Sequence, residues 1–197
     1  MKAQGAGAQT MRAIQQAILD AVSRLPATPG AILDIGCGDG VFTRELARAL
    51  PGANIIGIDP VLSTRSQTSS GVRFVRATVE QLPFAGGEFA VAVASLSFHH
   101  WQEKAAGIRE AFRVLRPGGR LVIGDPLLEG WLGIRFCGLL MQKLDGGVFS
   151  TGDELEGYLK TAGFASVEVR LVAKTMKSLY LVQATKPGLN GEDVISR

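Results

Sequence analysis

The chain has 197 residues, 46% of them hydrophobic and 20% charged, with a formal net charge of +3. That length and apolar content suit a single domain around one sizeable core, and no run approaches the ~20 apolar residues that cross a bilayer. The lysines and arginines are scattered and offset by 18 acids, which argues against a nucleic-acid partner. The first twenty residues lack the unbroken apolar stretch of a secretory signal, so the expected location is the cytoplasm. Cys37 and Cys137 make no ligand-spaced cluster with the two histidines, His99 and His100; neither a disulfide framework nor a metal site is expected.

Met11, Ile14, Ile18, Val22 and Leu25 recur at spacings of three and four, which predicts an amphipathic helix before "PATPG" and an N-terminal helical cap over residues 1–26. Short runs rich in valine and isoleucine follow: "AILDI" at 31, "NIIGID" at 54, "VRFVRA" at 72, "FAVAVAS" at 89 and "GRLVIGD" at 119. Helical patterns lie between several of them, one carrying Phe42, Leu46 and Leu50, another Ile108, Ala111, Phe112 and Leu115. Strands alternating with helices imply a parallel sheet covered on both faces. From Asp59 to "VRFVRA" the chain is short and rich in serine and threonine, so a second helix there should be abbreviated.

Thr151 and Glu154 have the spacing of a capping box and predict a helix start. "SVEVRLVA" at 166 and "SLYLVQATK" at 178 are separated only by a few residues around "KTMK". That is too short for a parallel crossover, so the two are antiparallel neighbours. With no internal repeat or linker, residues 1–184 read as one domain and residues 185–197 as a loose tail.

Chemistry enters at "AILDIGCGDG", residues 31–40, where a strand meets a helix and Gly36, Gly38 and Gly40 alternate with other residues. Ligands of open parallel sheets bind beyond the carboxyl ends of the strands, and glycines there let a ligand lie against the backbone. The dinucleotide fingerprint G-x-G-x-x-G would need glycine at 41, where Val41 stands, which argues against a hydride-transfer cofactor. Asp59 ends the second strand, where a carboxylate can accept from both hydroxyls of a ribose. The ligand should contain a nucleoside.

These residues resemble the class I S-adenosylmethionine-dependent methyltransferases, specifically the small-molecule family that shares the "LDIGCGDG" loop. The resemblance extends over most of the chain, through "ATVEQLPFAGGEFAVAVASLSFHHW", "VLRPGGRLVIGD" and "TGDELEGYLKTAGF". It implies an α/β, Rossmann-like three-layer sandwich whose mostly parallel seven-stranded sheet ends in a C-terminal antiparallel hairpin. The implied cofactor is S-adenosyl-L-methionine and the implied acceptor a small molecule. Asp34 resembles the acid that engages the cofactor's ammonium through water, and Gly36, Gly38 and Gly40 bring main-chain groups to its methionine portion. Asp59 binds the ribose. Thr78 and Val79 occupy the family's Gly-Asp-Ala position; Thr78 replaces the acid there, which leaves the Val79 N–H as the adenine contact. Ser95, ending the fourth strand, should reach toward the methionine end.

His99 and His100 match the "lHH" feature of the family and supply the imidazoles available for proton transfer. His100 is expected to take the acceptor's proton and His99 to be structural. Asp125, on the same rim, is either a second base candidate or a turn acid. Between the fifth strand and the next helix, residues 127–150 crowd Trp131, Ile134, Phe136, Leu139, Leu140 and Met141 together; they form either a helix packed on the sheet or a lid over an apolar acceptor pocket. A cyclase or isomerase that uses the bound sulfonium without methyl transfer, and a noncatalytic binding module, are the competing readings. The sequence leaves open the acceptor, its O, N or C nucleophile, and the oligomeric state.

Overall fold

The computed structural model describes residues 2–25, 30–62, 71–129, 146–174 and 178–189, with the backbone alone for 2–8. The strands are β1 (Ala31–Ile35), β2 (Asn54–Asp59), β3 (Val72–Arg76), β4 (Phe89–Ser95), β5 (Leu115–Pro126), β6 (Ser166–Ala173) and β7 (Leu179–Thr185). The helices among the described residues are α1 (Lys2–Ser23), α2 (Val41–Ala49), α3 (Lys104–Val114) and α4 (Gly152–Ala162). The strands form one sheet in the order β3-β2-β1-β4-β5-β7-β6. β1 to β5 pair in parallel, and β7 runs antiparallel to both β5 and β6.

Alternation along each strand sorts side chains onto two faces. Leu33, Ile35, Ile56, Ile58, Ala92, Ala94, Leu121 and Ile123 form one core with Ile108 and Ala111 of α3 and Leu155 and Leu159 of α4. Ile32, Ile55, Val91, Val93 and Val122 form the other with Ile18 and Val22 of α1 and Phe42 and Leu46 of α2. Both faces are therefore covered by helices, the three layers expected of a buried parallel sheet. Gly124 is part of that fit, because a Cβ there would lie 2.5 Å from Ile14, so its absence lets α1 settle on β5.

α1, Lys2–Ser23, lies within the helical cap expected over residues 1–26; Met11 is exposed while Ile14, Ile18 and Val22 are buried. Two boundaries differ from the sequence expectation. β5 starts at Leu115, which pairs with Phe89 of β4. The stretch expected to be loose from 185 is anchored at its start: Thr185 lies in β7, and Lys186 Nζ donates to the Phe112 and Leu115 carbonyls at 2.8 and 2.7 Å. The abbreviated helix expected near 63–70 and the apolar cluster from Trp131 to Met141 lie outside the described residues.

Candidate functional site

β1 feeds the chain toward β2 on one side of the sheet, while its other neighbour is β4. The strand order reverses here, and the crevice beyond the carboxyl ends of β1 and β4 is the place where such sheets bind ligands. Gly36, Gly38 and Gly40 all have left-handed backbones, with φ of +75°, +54° and +75°, a region that side chains resist. Their surroundings differ. A Cβ on Gly36 would lie 2.4 Å from Ser97 Cβ, and one on Gly40 would lie 2.5 Å from the Phe74 ring. Among the described residues a Cβ on Gly38 would meet nothing within 4 Å.

The loop is braced by β2. The Gly36 and Cys37 N–H groups donate to the Ile58 carbonyl at 2.8 and 2.9 Å. Gly57 leaves room for the Cys37 side chain, whose Sγ would be 3.0 Å from a Cβ at that position. Burial, with Asp34 and Asp59 nearby, pushes the Cys37 thiol up to about 12, so it stays protonated and unreactive near neutrality. Asp59 accepts from the Gly38 N–H through Oδ2 at 2.9 Å and from the Val61 N–H through Oδ1 at 2.8 Å. A carboxylate has further lone-pair sites, so Asp59 can hold the loop and still accept from a ribose.

Asp34 continues the Ile32 face of β1 and is 1% exposed. The Thr43 hydroxyl of α2 donates to its Oδ2 at 2.7 Å. Burial raises the carboxyl to about 7, the Thr43 bond opposes the rise, and the charge of Asp59 adds to it. A cation nearby would favour the ionised form, which suits an acid set beside an ammonium through water. Thr43 shares the buried stripe of α2 with Phe42 and Leu46; a hydroxyl between those two apolar residues was the sequence sign of this pairing.

The β4 end is irregular. Among the described residues Ser95 Oγ is buried with no hydrogen-bond partner, a hydroxyl a ligand group could meet after a small local adjustment. Leu96 adopts φ of +52° and donates its N–H to the Gly124 carbonyl at 2.8 Å; a left-handed non-glycine residue costs of order 1–3 kcal/mol and is typical of functional turns. Ser97 Oγ donates to the Ile35 carbonyl at 2.6 Å, tying this turn to β1. Val79 is buried in the core beside α3 and Thr78 is exposed, so the two part company immediately after β3.

Phe98–His100 form one 3-10 turn. His99 is 6% exposed and its Nδ1 lies 2.9 and 3.1 Å from the two Asp125 carboxylate oxygens. Asp125 Oδ2 also accepts from the Phe98 N–H at 3.0 Å. Burial raises the Asp125 carboxyl, and the His99 hydrogen bond and charge pull it back. The His99 ring stacks on Phe149 at a centroid distance of 4.7 Å and lies 4.0 Å from the exposed His100 ring. Gly147 presses on His99, since a Cβ there would be 2.5 Å from its Cδ2, and the Val148 N–H donates to the His99 carbonyl at 2.8 Å. Sequence reading singled out Asp125 and both histidines but not this pairing, because Asp125 and His99 are 26 residues apart.

Residues 33–123 match the family model described as "Methyltransferase domain". The chain is 31% identical over 182 residues to the O-methyltransferase cnsE of Penicillium expansum, covering 85% of this chain and 64% of that protein. It is 27% identical over 183 residues to the malonyl-[acyl-carrier protein] O-methyltransferase of Methylococcus capsulatus, covering 88% of this chain and 65% of that one. Across the first curated relatives the chain spans between 35% and 65% of their length. Among solved structures, the 1,6-didemethyltoxoflavin-N1-methyltransferase of Burkholderia thailandensis, with bound S-adenosylhomocysteine, superimposes with a TM-score of 0.69 at 23% identity, over 90% of this chain and 78% of that one. That likeness concerns the fold. Among the described residues no helix is long and apolar enough to cross a membrane. Residues 33–123 thus form a methyltransferase domain, and the relatives and solved structures support the class I S-adenosylmethionine-dependent methyltransferases as its family.

Proposed function

We propose that the chain transfers the methyl group of S-adenosylmethionine to an O, N or C nucleophile of a small, apolar metabolite. The carrying observation is the left-handed glycine loop held against the Asp59 carboxylate, at the carboxyl ends of β1 and β4 and beside the histidine turn. When bound, S-adenosylmethionine supplies an electrophilic methyl carbon on a sulfonium sulfur. Asp59 accepts from the ribose hydroxyls, the Gly36–Gly40 backbone and the α2 N-terminus hold the methionine portion, and Asp34 balances its ammonium through water. Val79 N–H meets the adenine ring beside Thr78, and Ser95 Oγ completes the methionine end.

The acceptor side is the β4–β5 rim with His99 and His100. Catalysis rests mainly on holding the nucleophile in line at near-attack distance, with a histidine taking the proton where the acceptor carries one. Incubation with methyl-labelled S-adenosylmethionine and a macromolecule-free extract of the source cells should place label on a small molecule. Cofactor binding by calorimetry without label transfer to any small molecule would favour a noncatalytic module or a cyclase-type enzyme instead.

A further inference from the structure

We infer that His99, held by Asp125, is the group that takes the acceptor's proton, with Asp125 as its positioning residue. This rests on the methyl-transfer reading above and replaces the sequence expectation, in which His100 does the chemistry and His99 is packing.

Three observations carry it. First, Asp125 engages Nδ1 of His99 through both oxygens. A carboxylate accepts only, so in the neutral ring this bond requires the proton on Nδ1 and leaves the lone pair on Nε2, the tautomer an oriented base needs. Second, Nε2 is the end of the ring that remains available. Among the described residues the buried side-chain nitrogen and oxygen atoms without a partner are Ser95 Oγ and Trp101 Nε1. His99 Nε2 is not among them, and among the described residues the hydrogen bonds of the ring are those at Nδ1, so Nε2 is not committed to a partner in the fold. Third, the ring is locked from several sides, by Phe149 stacking, by Gly147 against Cδ2 and by the Val148 N–H on its carbonyl. A base positioned this tightly loses little freedom when the acceptor arrives.

The step balances as follows. The proton leaves the acceptor's O–H or N–H for His99 Nε2, and its bonding pair stays on the oxygen or nitrogen. That atom forms the new bond to the methyl carbon while the carbon–sulfur bond breaks with its pair on sulfur. The resulting imidazolium is stabilised by the Asp125 carboxylate. The other charged or titratable groups facing the pair are His100, whose ring packs on His99, and Lys104, whose charge Asp125 favours.

Two measurements on the full chain test this. In imidazole ¹⁵N spectra His99 should show a protonated Nδ1 and an unprotonated Nε2, and Asp125→Asn should move the proton to Nε2. Asn can offer one oxygen to the Phe98 N–H and then only an amide N–H to Nδ1. With the labelled-cofactor assay, His99→Gln and Asp125→Asn should each lower kcat about tenfold or more while the Kd for S-adenosylhomocysteine stays within about twofold. Asp125→Asn should also shift the acidic limb of the pH–rate profile, which a merely structural role would not. A wild-type His99 protonated at Nε2 overturns the inference without needing any variant to fold. So does a folded His99→Gln protein with wild-type kcat, or a loss confined to His100→Ala. Cofactor binding by the wild type with no label transfer overturns the methyl-transfer reading itself, and the inference with it.

Discussion

Asp34 and Asp125 are both 1% exposed and both close a strand at the same edge of the sheet, yet they lie on opposite faces and serve different rims. Asp34 shares the Ile32 face, and its hydroxyl partner, Thr43, is nine residues away. Asp125 shares the Leu121 and Ile123 face, and its partners Phe98 and His99 come from another strand's end. The first rim is built from backbone: three left-handed glycines and amides aimed at Asp59. The second is built from side chains: an imidazole, a carboxylate and a phenyl ring stacked in series. A main-chain rim suits a ligand common to a whole family, and a side-chain rim suits a variable acceptor.

The largest expected effect comes from filling the backbone rim. Gly36→Ala adds left-handed strain of about 1–2 kcal/mol to a clash with Ser97 worth about 1–3 kcal/mol, so denaturant unfolding should show a loss of roughly 2–5 kcal/mol. Gly38→Ala, whose Cβ would meet none of the described residues, should lose only the strain and weaken cofactor binding instead. Equal stability losses in the two variants would erase the distinction between a packed and an open glycine.

Asp34 sharpens the contrast through pH. Its folded value of about 7 lies above the ordinary 3.8, so between those values the unfolded chain releases a proton that the cofactor-free fold retains. Stability therefore falls as pH rises from about 4 to about 7 and then levels off, by at most about 4 kcal/mol from this group. Asp34→Asn should flatten that fall in a series of melting curves, and saturation with S-adenosylhomocysteine should reduce it by favouring the ionised form. An unchanged slope in the variant would assign the pH dependence to other groups.

Asp59→Ala should weaken S-adenosylmethionine and S-adenosylhomocysteine alike, by about 2–3 kcal/mol, the scale of hydrogen bonds to a charged group. Calorimetry on a folded variant with unchanged affinity would leave Asp59 as a brace for Gly38 alone. The smallest effect lies behind the side-chain rim. Thr151 and Glu154 form a reciprocal capping box at the start of α4, two residues after Phe149. Thr151→Ala should cost about 1 kcal/mol in thermal unfolding, with cofactor affinity intact. A drop in affinity would show that the two rims are coupled.

Much of this architecture was legible in the chain. "AILDI", "NIIGID" and "FAVAVAS" are strands over the residues read for them, because a buried parallel strand needs an unbroken apolar run. The short link at "KTMK" required an antiparallel pair, and β6 and β7 are one. The helix start at Thr151 followed from capping chemistry alone. Less legible were the ends, such as the start of β5 at Leu115, which its pairing with Phe89 sets. The order of β7 between β5 and β6 was not legible at all, since nothing in a strand's own pattern names its neighbours.

By itself the sequence determined what local geometry controls: alternation sorts residues onto faces, glycine permits a left-handed backbone at 36, 38 and 40, and a strand end places Asp59 beside the loop. Tertiary structure decided the pairings between distant side chains. Ser97 reaches the Ile35 carbonyl across 62 residues of chain, and Asp125 meets His99 rather than His100. Both histidines carry the same ring at neighbouring positions, so no local rule separates them. The 3-10 turn buries one and exposes the other, and packing between distant strands sets which imidazole meets Asp125.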